Sequence, residues 1–180
     1  MDVAPRDSLT AALGYADRGW RVFPVPFGTK KSHKSGERSN GRAWGATRDP
    51  MEIERDFKEW PEAGVGVPTG LVNGFFVVEV DTPGGHNVDG LASLKALEAE
   101  HGDLPDTLMA ESPTGSIHRY FAWPTAPDVN IRNSDSKLAP GVDIRGSGGM
   151  VVVPPTRTAK GQYRWLNDLA VADPPRWLVN

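Results

Sequence analysis

Residues 74–81, with the sequence Gly-Phe-Phe-Val-Val-Glu-Val-Asp, carry the most informative pattern in the chain. The first half of the stretch is continuously apolar, which is typical of a central strand buried on both faces. The second half alternates, so Glu79 and Asp81 stand two residues apart and project from the same face of a strand. The pattern predicts a buried strand whose polar end opens onto a site.

Glu79 and Asp81 together supply hard oxygen ligands at that polar end. Two like charges side by side repel each other, and a cation such as Mg²⁺ or Mn²⁺ between them relieves the repulsion. The plainer interpretation is a strand end with two solvated acids, which is a common arrangement.

Asp143 is a third acid within an apolar stretch, where Val142 and Ile144 take the core face and Asp143 shares the other face with Arg145. If this strand is a neighbour of residues 74–81, three carboxylates converge, which is enough to hold two divalent ions for an in-line phosphoryl displacement. The alternative is a surface pair of Asp143 with Arg145, which would contribute little stability.

A third segment, Ile117–Trp123, reads as a strand that places Ser116, His118 and Tyr120 on one face. A histidine there is able to donate to a phosphate oxygen, although a single histidine in a strand is more often structural. Residues 113–115 are turn formers, so we expect a hairpin between this segment and Thr107–Glu111.

The surrounding pattern predicts helices between strands. Asp49 is expected to cap one helix, and Asn87 is expected to cap another. The segments Gly141–Arg145 and Met150–Val153 are expected to form the last strand pair, joined by a glycine-rich turn. These elements indicate an α+β fold with a mixed, largely antiparallel sheet and helices packed against it.

Composition limits the protein class. The chain has 180 residues, of which 38% are hydrophobic and 24% charged, so we expect a single folded domain over residues 1–180. It contains no cysteine, so any metal must be held by carboxylates or histidines. We find no apolar stretch of membrane-spanning length and no signal peptide, which together favour a cytoplasmic protein without membrane contact.

The total charge does not favour a nucleic-acid binder, since the formal net charge is -3. The charge is unevenly distributed, however, and a local basic patch is compatible with an acidic total. Six basic residues fall in one glycine-rich segment whose only acid is Glu37: Lys30, Lys31, Lys34, Arg38, Arg42 and Arg48.

The residues as a whole resemble the bifunctional primase-polymerase branch of the archaeo-eukaryotic primase superfamily. Three motifs follow in that family's order: acid-x-acid at Glu79 and Asp81, small-x-histidine at Ser116 and His118, and an apolar-acid strand at Asp143. The resemblance spans nearly all of the chain, and scaffold positions also carry it: Ala16, Gly19, Trp20, Val22, Phe23, Pro24, Ala46, Thr47, Asp49, Trp60, Pro61, Gly64, Thr69 and Gly70.

The resemblance implies the archaeo-eukaryotic primase (prim-pol) fold, with an RRM-like core, an N-terminal αβ unit and flanking helices. It implies a polymerase site in which Glu79, Asp81 and Asp143 are catalytic and hold two Mg²⁺ or Mn²⁺ ions. A primer 3′-hydroxyl would attack the α-phosphate of a nucleoside triphosphate, and pyrophosphate would leave. Many relatives have aspartate where this chain has Glu79, whose extra methylene would shift a metal ligand.

The same resemblance implies the substrates and partners, namely a single-stranded DNA template, a primer and nucleoside triphosphates. It suggests the N-terminal part of a plasmid or phage replication protein that is joined to a helicase. The residues expected to contact the nucleotide are His118, Ser116, Arg145 and Lys30 or Lys31. The residues expected to guide template phosphates are Lys34, Arg38 and Arg42, although a solvated mobile loop is an equal interpretation of that segment.

Two other functions use the same residues. A two-metal phosphodiesterase or nuclease needs the same carboxylate geometry. A non-catalytic nucleic-acid-binding module would explain why the first motif begins with Glu79, since its active site would no longer be constrained by catalysis. A strand-transfer relaxase is disfavoured, because the histidines do not form a closely spaced pair. Metal-dependent incorporation of nucleoside triphosphates separates these alternatives.

Overall fold

The computed structural model describes the backbone of residues 4–179 and the side chains of residues 8–179. The strands of this part of the chain are β1 (Phe23–Val25), β2 (Gly64–Pro68), β3 (Phe75–Val80), β4 (Met109–Glu111), β5 (Ile117–Ala122), β6 (Ser134–Ala139), β7 (Val142–Arg145), β8 (Met150–Val153), β9 (Arg157–Thr158), β10 (Gly161–Gln162) and β11 (Arg164–Trp165). The α-helices are α1 (Ala4–Asp17), α2 (Pro50–Glu59), α3 (Pro83–His86), α4 (Gly90–His101) and α5 (Arg176–Val179), and two short 3₁₀ helices span Gly36–Ser39 and Ala43–Gly45.

The chain forms two compact units. The first contains the described residues up to Pro68 together with Met150–Arg164, and the second contains Thr69–Gly149 together with the described residues from Trp165 onward. No helix in residues 4–179 is both long and apolar enough to cross a membrane.

The first unit is built on a three-stranded antiparallel sheet with the order β1, β2, β8. The middle strand carries Gly66, where a Cβ atom would lie 2.5 Å from the ring of Phe23, so a larger residue would displace that core side chain. The predicted cap of α2 is confirmed, since the Asp49 side chain accepts a hydrogen bond from the Met51 N–H.

The second unit is built on a six-stranded sheet with the order β11, β4, β5, β3, β7, β6. Strand β3, which carries Glu79, lies between β5 and β7, and it is antiparallel to both. The predicted hairpin of β4 and β5 is confirmed. The arrangement is the α+β fold with largely antiparallel sheets that the sequence predicts.

The two faces of β3 are both buried, as its apolar first half predicts. Phe76, Val78 and Val80 pack into a core with Leu94 of α4 and other apolar residues. The opposite face carries Phe75, Val77 and Glu79, all less than 5% exposed. Glu79 therefore projects from the face that lies opposite the Leu94 core.

Two local predictions are wrong. β7 pairs with β3 and β6, whereas β8 pairs with β2 in the other sheet, so the turn between β7 and β8 joins two sheets and not one strand pair. Asn87 does not cap α4. It adopts a left-handed conformation after α3, and Asp89 caps α4 by accepting from the Ala92 N–H at 3.0 Å.

Candidate active site

The motif residues form a row across three neighbouring strands. Glu79 on β3 lies directly opposite His118 on β5 and Asp143 on β7. Directly opposed residues of antiparallel strands share a face of the sheet, so their side chains project together. All three residues are buried. The strand adjacency that the sequence left open is thus established, and with it the common face of Glu79 and Asp143.

Asp81 follows β3 directly, and its backbone is fixed on both sides. Its N–H donates to the Gly141 carbonyl at 2.8 Å, and its carbonyl accepts from the Gly90 N–H at 2.9 Å. A Cβ atom on Gly90 would lie 2.2 Å from the Gly141 carbonyl oxygen. Only glycine permits this close approach, which holds Asp81 at the end of the strand.

Ser116 holds the carboxylate of Asp81. Its hydroxyl donates to Asp81 Oδ1 at 2.9 Å, and both residues are buried. The turn before β5 fixes Ser116 in turn, since its N–H donates to Ser112 Oγ at 3.1 Å and its carbonyl accepts from the Ser112 N–H at 2.9 Å. On its other side, Asp81 Oδ1 lies 3.5 Å from His86 Nε2. Ser116, predicted as a nucleotide contact, thus contacts Asp81 in this structure.

Arg145 contacts three carboxylates of this face. Its Nε, Nη2 and Nη1 atoms lie 2.9 Å from Glu79 Oε2, Asp143 Oδ2 and Asp135 Oδ1, respectively. Burial opposes the charged guanidinium, but the charge and hydrogen bond of Glu79, with smaller contributions from Asp135 and Asp143, raise the pKa of Arg145 above its usual value. The predicted pair of Asp143 with Arg145 exists as part of a larger network.

Asp143 is held from β6. Its Oδ1 accepts from the Ser136 N–H at 2.8 Å, in a strand where Ser136 has a φ of 49°. Burial raises the pKa of Asp143 above its usual value, although the Ser136 hydrogen bond and the Arg145 charge act in the opposite direction. The charges of Glu79 and Asp81 raise the Asp143 pKa further. The Ser136 hydrogen bond and the Arg145 charge therefore offset only part of the increase in the Asp143 pKa.

The sequence prediction missed the contributions of Asp135 and Ser136. Both lie in a polar stretch without apolar periodicity, so nothing in the pattern of residues 131–140 indicated strand β6. The register of β6 against β7 also shifts between Ser134 and Ala139. Such an irregularity changes the direction in which backbone groups point, and the alternation of residues in the sequence does not predict it.

Comparison with known protein families gives a match that includes all of these site residues. The sequence matches the family model described as bifunctional DNA primase/polymerase, N-terminal, over residues 12–177, which is nearly the whole chain. The chain belongs to the Prim-Pol family. Prim-Pol membership implies a primase/polymerase-type nucleotidyltransferase whose substrates are DNA and nucleotides. No curated protein matches the chain.

The Prim-Pol family is typically metal-dependent, and the acidic residues fit a divalent ion in their donor chemistry. Glu79, Asp81 and Asp143 offer hard carboxylate oxygens, as Mg²⁺ requires. As they stand, the side chains of residues 8–179 include no group of three or more histidine or acidic residues arranged to hold an ion. The Arg145 guanidinium contacts Glu79 and Asp143 and supplies the counter-charge.

Lys34 is not placed as a template contact, and this corrects the prediction from the basic segment. It is only 2% exposed, and its ammonium lies 2.5 Å from Glu52 Oε1 and 2.6 Å from Asp56 Oδ2. A buried cation with two carboxylate partners stabilises the fold and does not contact a template strand. Lys34 therefore anchors the basic segment to α2.

The other basic Prim-Pol residues lie in the same segment of the first unit. Arg42 contacts Glu52. The Nη1 atom of exposed Arg38 lies 2.5 Å from Glu59 Oε1, and its Cζ atom lies 5.2 Å from the ring centroid of Trp60. Lys30 and Lys31 are exposed and line a pocket that also contains Arg42. The segment is a folded loop with two 3₁₀ helices and a basic, concave surface.

Proposed function

We propose that this Prim-Pol domain is a template-directed nucleotidyltransferase that adds nucleoside triphosphates to a primer 3′-hydroxyl. In this proposal Glu79, Asp81 and Asp143 hold two divalent ions, Mg²⁺ or Mn²⁺. The observation that carries the proposal is the row in which Glu79 lies opposite both Asp143 and His118. Two carboxylates and one imidazole therefore lie on one face of the sheet, which supports the proposed roles in metal and phosphate binding.

The side chains of the row have separate roles in this proposal. Bound divalent ions would polarise the α-phosphate and lower the pKa of the attacking hydroxyl. Ser116 orients Asp81 through its 2.9 Å hydrogen bond. His118, 3.7 Å from Glu79, offers its ring N–H to the triphosphate, and Arg145 provides a guanidinium for the same phosphates.

The basic segment supports DNA binding in the same proposal. Lys30 and Lys31, which the sequence analysis predicts as nucleotide contacts, are exposed beside a concave surface, which suits binding of phosphate groups. Arg38 and Arg42 would contribute to the template contacts, each already near a carboxylate. Because such contacts release counterions, the affinity for single-stranded DNA should fall steeply with salt.

Primer extension tests the proposal directly. A labelled primer-template is incubated with Mg²⁺ or Mn²⁺ and with ribo- or deoxyribonucleoside triphosphates. We expect extension by the wild type, loss of extension in Asp81→Asn and Asp143→Asn, and full extension in Asp128→Asn, which changes an exposed acid of the same unit. Folded wild-type protein that binds DNA without extending the primer under any of these conditions would contradict the proposal.

One observation favours a second candidate, a non-catalytic nucleic-acid-binding module. Arg145 pairs with Glu79 and Asp143, so the acidic face is already neutralised in part by the chain itself. Salt-sensitive DNA binding without turnover would select this candidate. Cleavage of the labelled strand without incorporation would instead select the nuclease alternative.

Two features of the proposal rest on chain length and composition, namely one catalytic domain over residues 1–180 and a cytoplasmic location. Two others rest on the family resemblance alone, namely a joined helicase domain and a role in plasmid or phage replication. Each stays a prediction.

A further inference from the structure

Arg145 places one guanidinium among several carboxylates of the candidate active site. Its three contacts, each 2.9 Å long, reach Glu79 on β3, Asp143 on β7 and Asp135 on β6. Asp81, whose charge also acts on Asp143, adds a fourth carboxylate nearby, so the acids outnumber the single guanidinium and leave an excess of negative charge. The acidic face is therefore stabilised by a cation supplied by the chain itself.

The burial of these groups makes the counter-charge important. The side chains of Glu79 and Asp143 are only 5% and 11% exposed, so water screens their repulsion weakly. Removing one partner from a buried ion pair leaves an uncompensated charge, which is costly. A cation that replaces Arg145 must consequently take over the same oxygen atoms.

We propose that Arg145 is the resident counter-cation of this acidic face, and that a divalent ion binds by displacing its guanidinium from Glu79 and Asp143. The inference rests on the proposed function, because it assumes that the acidic face binds metal. Arg145 cannot leave by losing a proton, since a guanidinium remains charged in proteins. It leaves by rotation of its long side chain.

Asp135 provides the outward position for the displaced guanidinium. Its side chain is 81% exposed, whereas the Arg145 side chain is 24% exposed. The contact with Asp135 is thus the one that Arg145 keeps as it moves toward solvent. In that outward position, the N–H donors of the planar Arg145 guanidinium match the geometry of phosphate oxygens. One displacement would then open the metal site and present Arg145 to an incoming nucleotide.

Mn²⁺ binding to the whole chain tests the displacement. Free Mn²⁺ is measured by electron paramagnetic resonance in titrations of the wild type, Arg145→Gln, Arg132→Gln and Asp81→Asn. Arg132 is an exposed arginine of the same unit, so its substitution controls for the loss of one positive charge. We expect Arg145→Gln to bind about tenfold more tightly than the wild type, because no cation competes for the carboxylates.

The outcomes separate this inference from the proposed function. Equal or weaker binding by Arg145→Gln, together with binding by the wild type that Asp81→Asn abolishes, overturns the displacement and leaves the metal site standing. An equal gain in Arg132→Gln also overturns it, since the effect would then be one of net charge. Absence of binding in both the wild type and Arg145→Gln overturns the displacement and the proposed metal site together.

A second measurement uses the wild type, so it does not depend on the folding of a variant. The Nε–H signal of Arg145 is followed by nuclear magnetic resonance during a titration with diamagnetic Mg²⁺. We expect its chemical shift to change and to saturate with the same dissociation constant as Mg²⁺ binding. An Nε–H signal that stays unchanged at saturating Mg²⁺ shows that the guanidinium stays on Glu79, which overturns the inference.

Discussion

The Ser116 hydroxyl donates a 2.9 Å hydrogen bond to Asp81 Oδ1, although the two residues are 35 positions apart in the chain. Both residues are buried, so this hydrogen bond is shielded from competing water. Hydrogen bonds to charged groups contribute about 1.5–3 kcal/mol. The first prediction follows from this contact.

Ser116→Ala should lower the rate constant of primer extension about tenfold, since Asp81 loses the donor that orients it. The Mg²⁺ concentration for half-maximal activity should rise in the same variant. Ser116→Thr, which keeps a hydroxyl, should recover much of the loss, and Ser93→Ala on α4 is the matched control. Unchanged metal dependence in Ser116→Ala would show that the hydrogen bond does not position Asp81.

His118→Gln should raise the KM for nucleoside triphosphates about tenfold, with a smaller change in kcat. The reason is that His118 is buried in the acidic row and is proposed to contact the triphosphate and not the metal ions. Steady-state kinetics of primer extension measures both constants. His101→Gln is the control, because His101 is a partly exposed histidine of the same unit. A fall in kcat at constant KM would assign His118 to the chemical step.

Lys34→Met should lower the free energy of unfolding by about 3–5 kcal/mol, because it leaves Glu52 and Asp56 buried without their ammonium partner. Urea unfolding followed by circular dichroism measures the change. Lys58→Met, at an exposed position of α2, should shift it little. A Lys34→Met protein with normal stability and weakened DNA binding would restore Lys34 as a template contact.

Acid stability should depend on Glu52. Burial opposes its ionisation, but hydrogen bonds from Lys34, Arg42 and Thr47 outweigh burial and lower the Glu52 pKa to about 2. Its pKa in the unfolded chain is about 4.3. A folded-state pKa below the unfolded value stabilises the fold above about pH 4.3, and this stabilisation is lost as the pH falls toward 2.

Glu52→Gln should therefore lower the free energy of unfolding at neutral pH by about 3 kcal/mol and flatten its decline between pH 4.3 and 2. Urea unfolding at several pH values measures the slope. Glu54→Gln, an exposed neighbour on the same helix, should keep the wild-type slope. Parallel pH profiles for the wild type and Glu52→Gln would contradict the role of Glu52.

Local periodicity was sufficient to predict the faces of the strands. The alternation around Glu79 and Asp143 correctly placed both acids away from the apolar core, because side chains alternate strictly along a strand. The pairing of β3 with β7 was not predictable in the same way. It joins segments far apart in the chain, and periodicity carries no information about which strands become neighbours.

The errors have physical causes of the same kind. β7 and β8 both have strand patterns and a glycine-rich link, so the sequence favoured a hairpin that the two sheets do not form. Lysine is usually exposed, so the burial of Lys34 depended on two acids of α2 that no local pattern connects to it. Asp135 was missed because its importance comes only from its contact with Arg145.

The interleaving of the two units also has a consequence for synthesis on the ribosome. β2 ends at Pro68, but its partner β8 begins only at Met150, after β3 to β7 have been translated. A two-stranded ribbon of β1 and β2 is marginally stable alone, so the sheet of the first unit forms stably only after β8 has been synthesised. At about 5–20 residues per second, the wait lasts roughly 4–16 s. The strands that carry the acidic row therefore emerge before the N-terminal sheet closes.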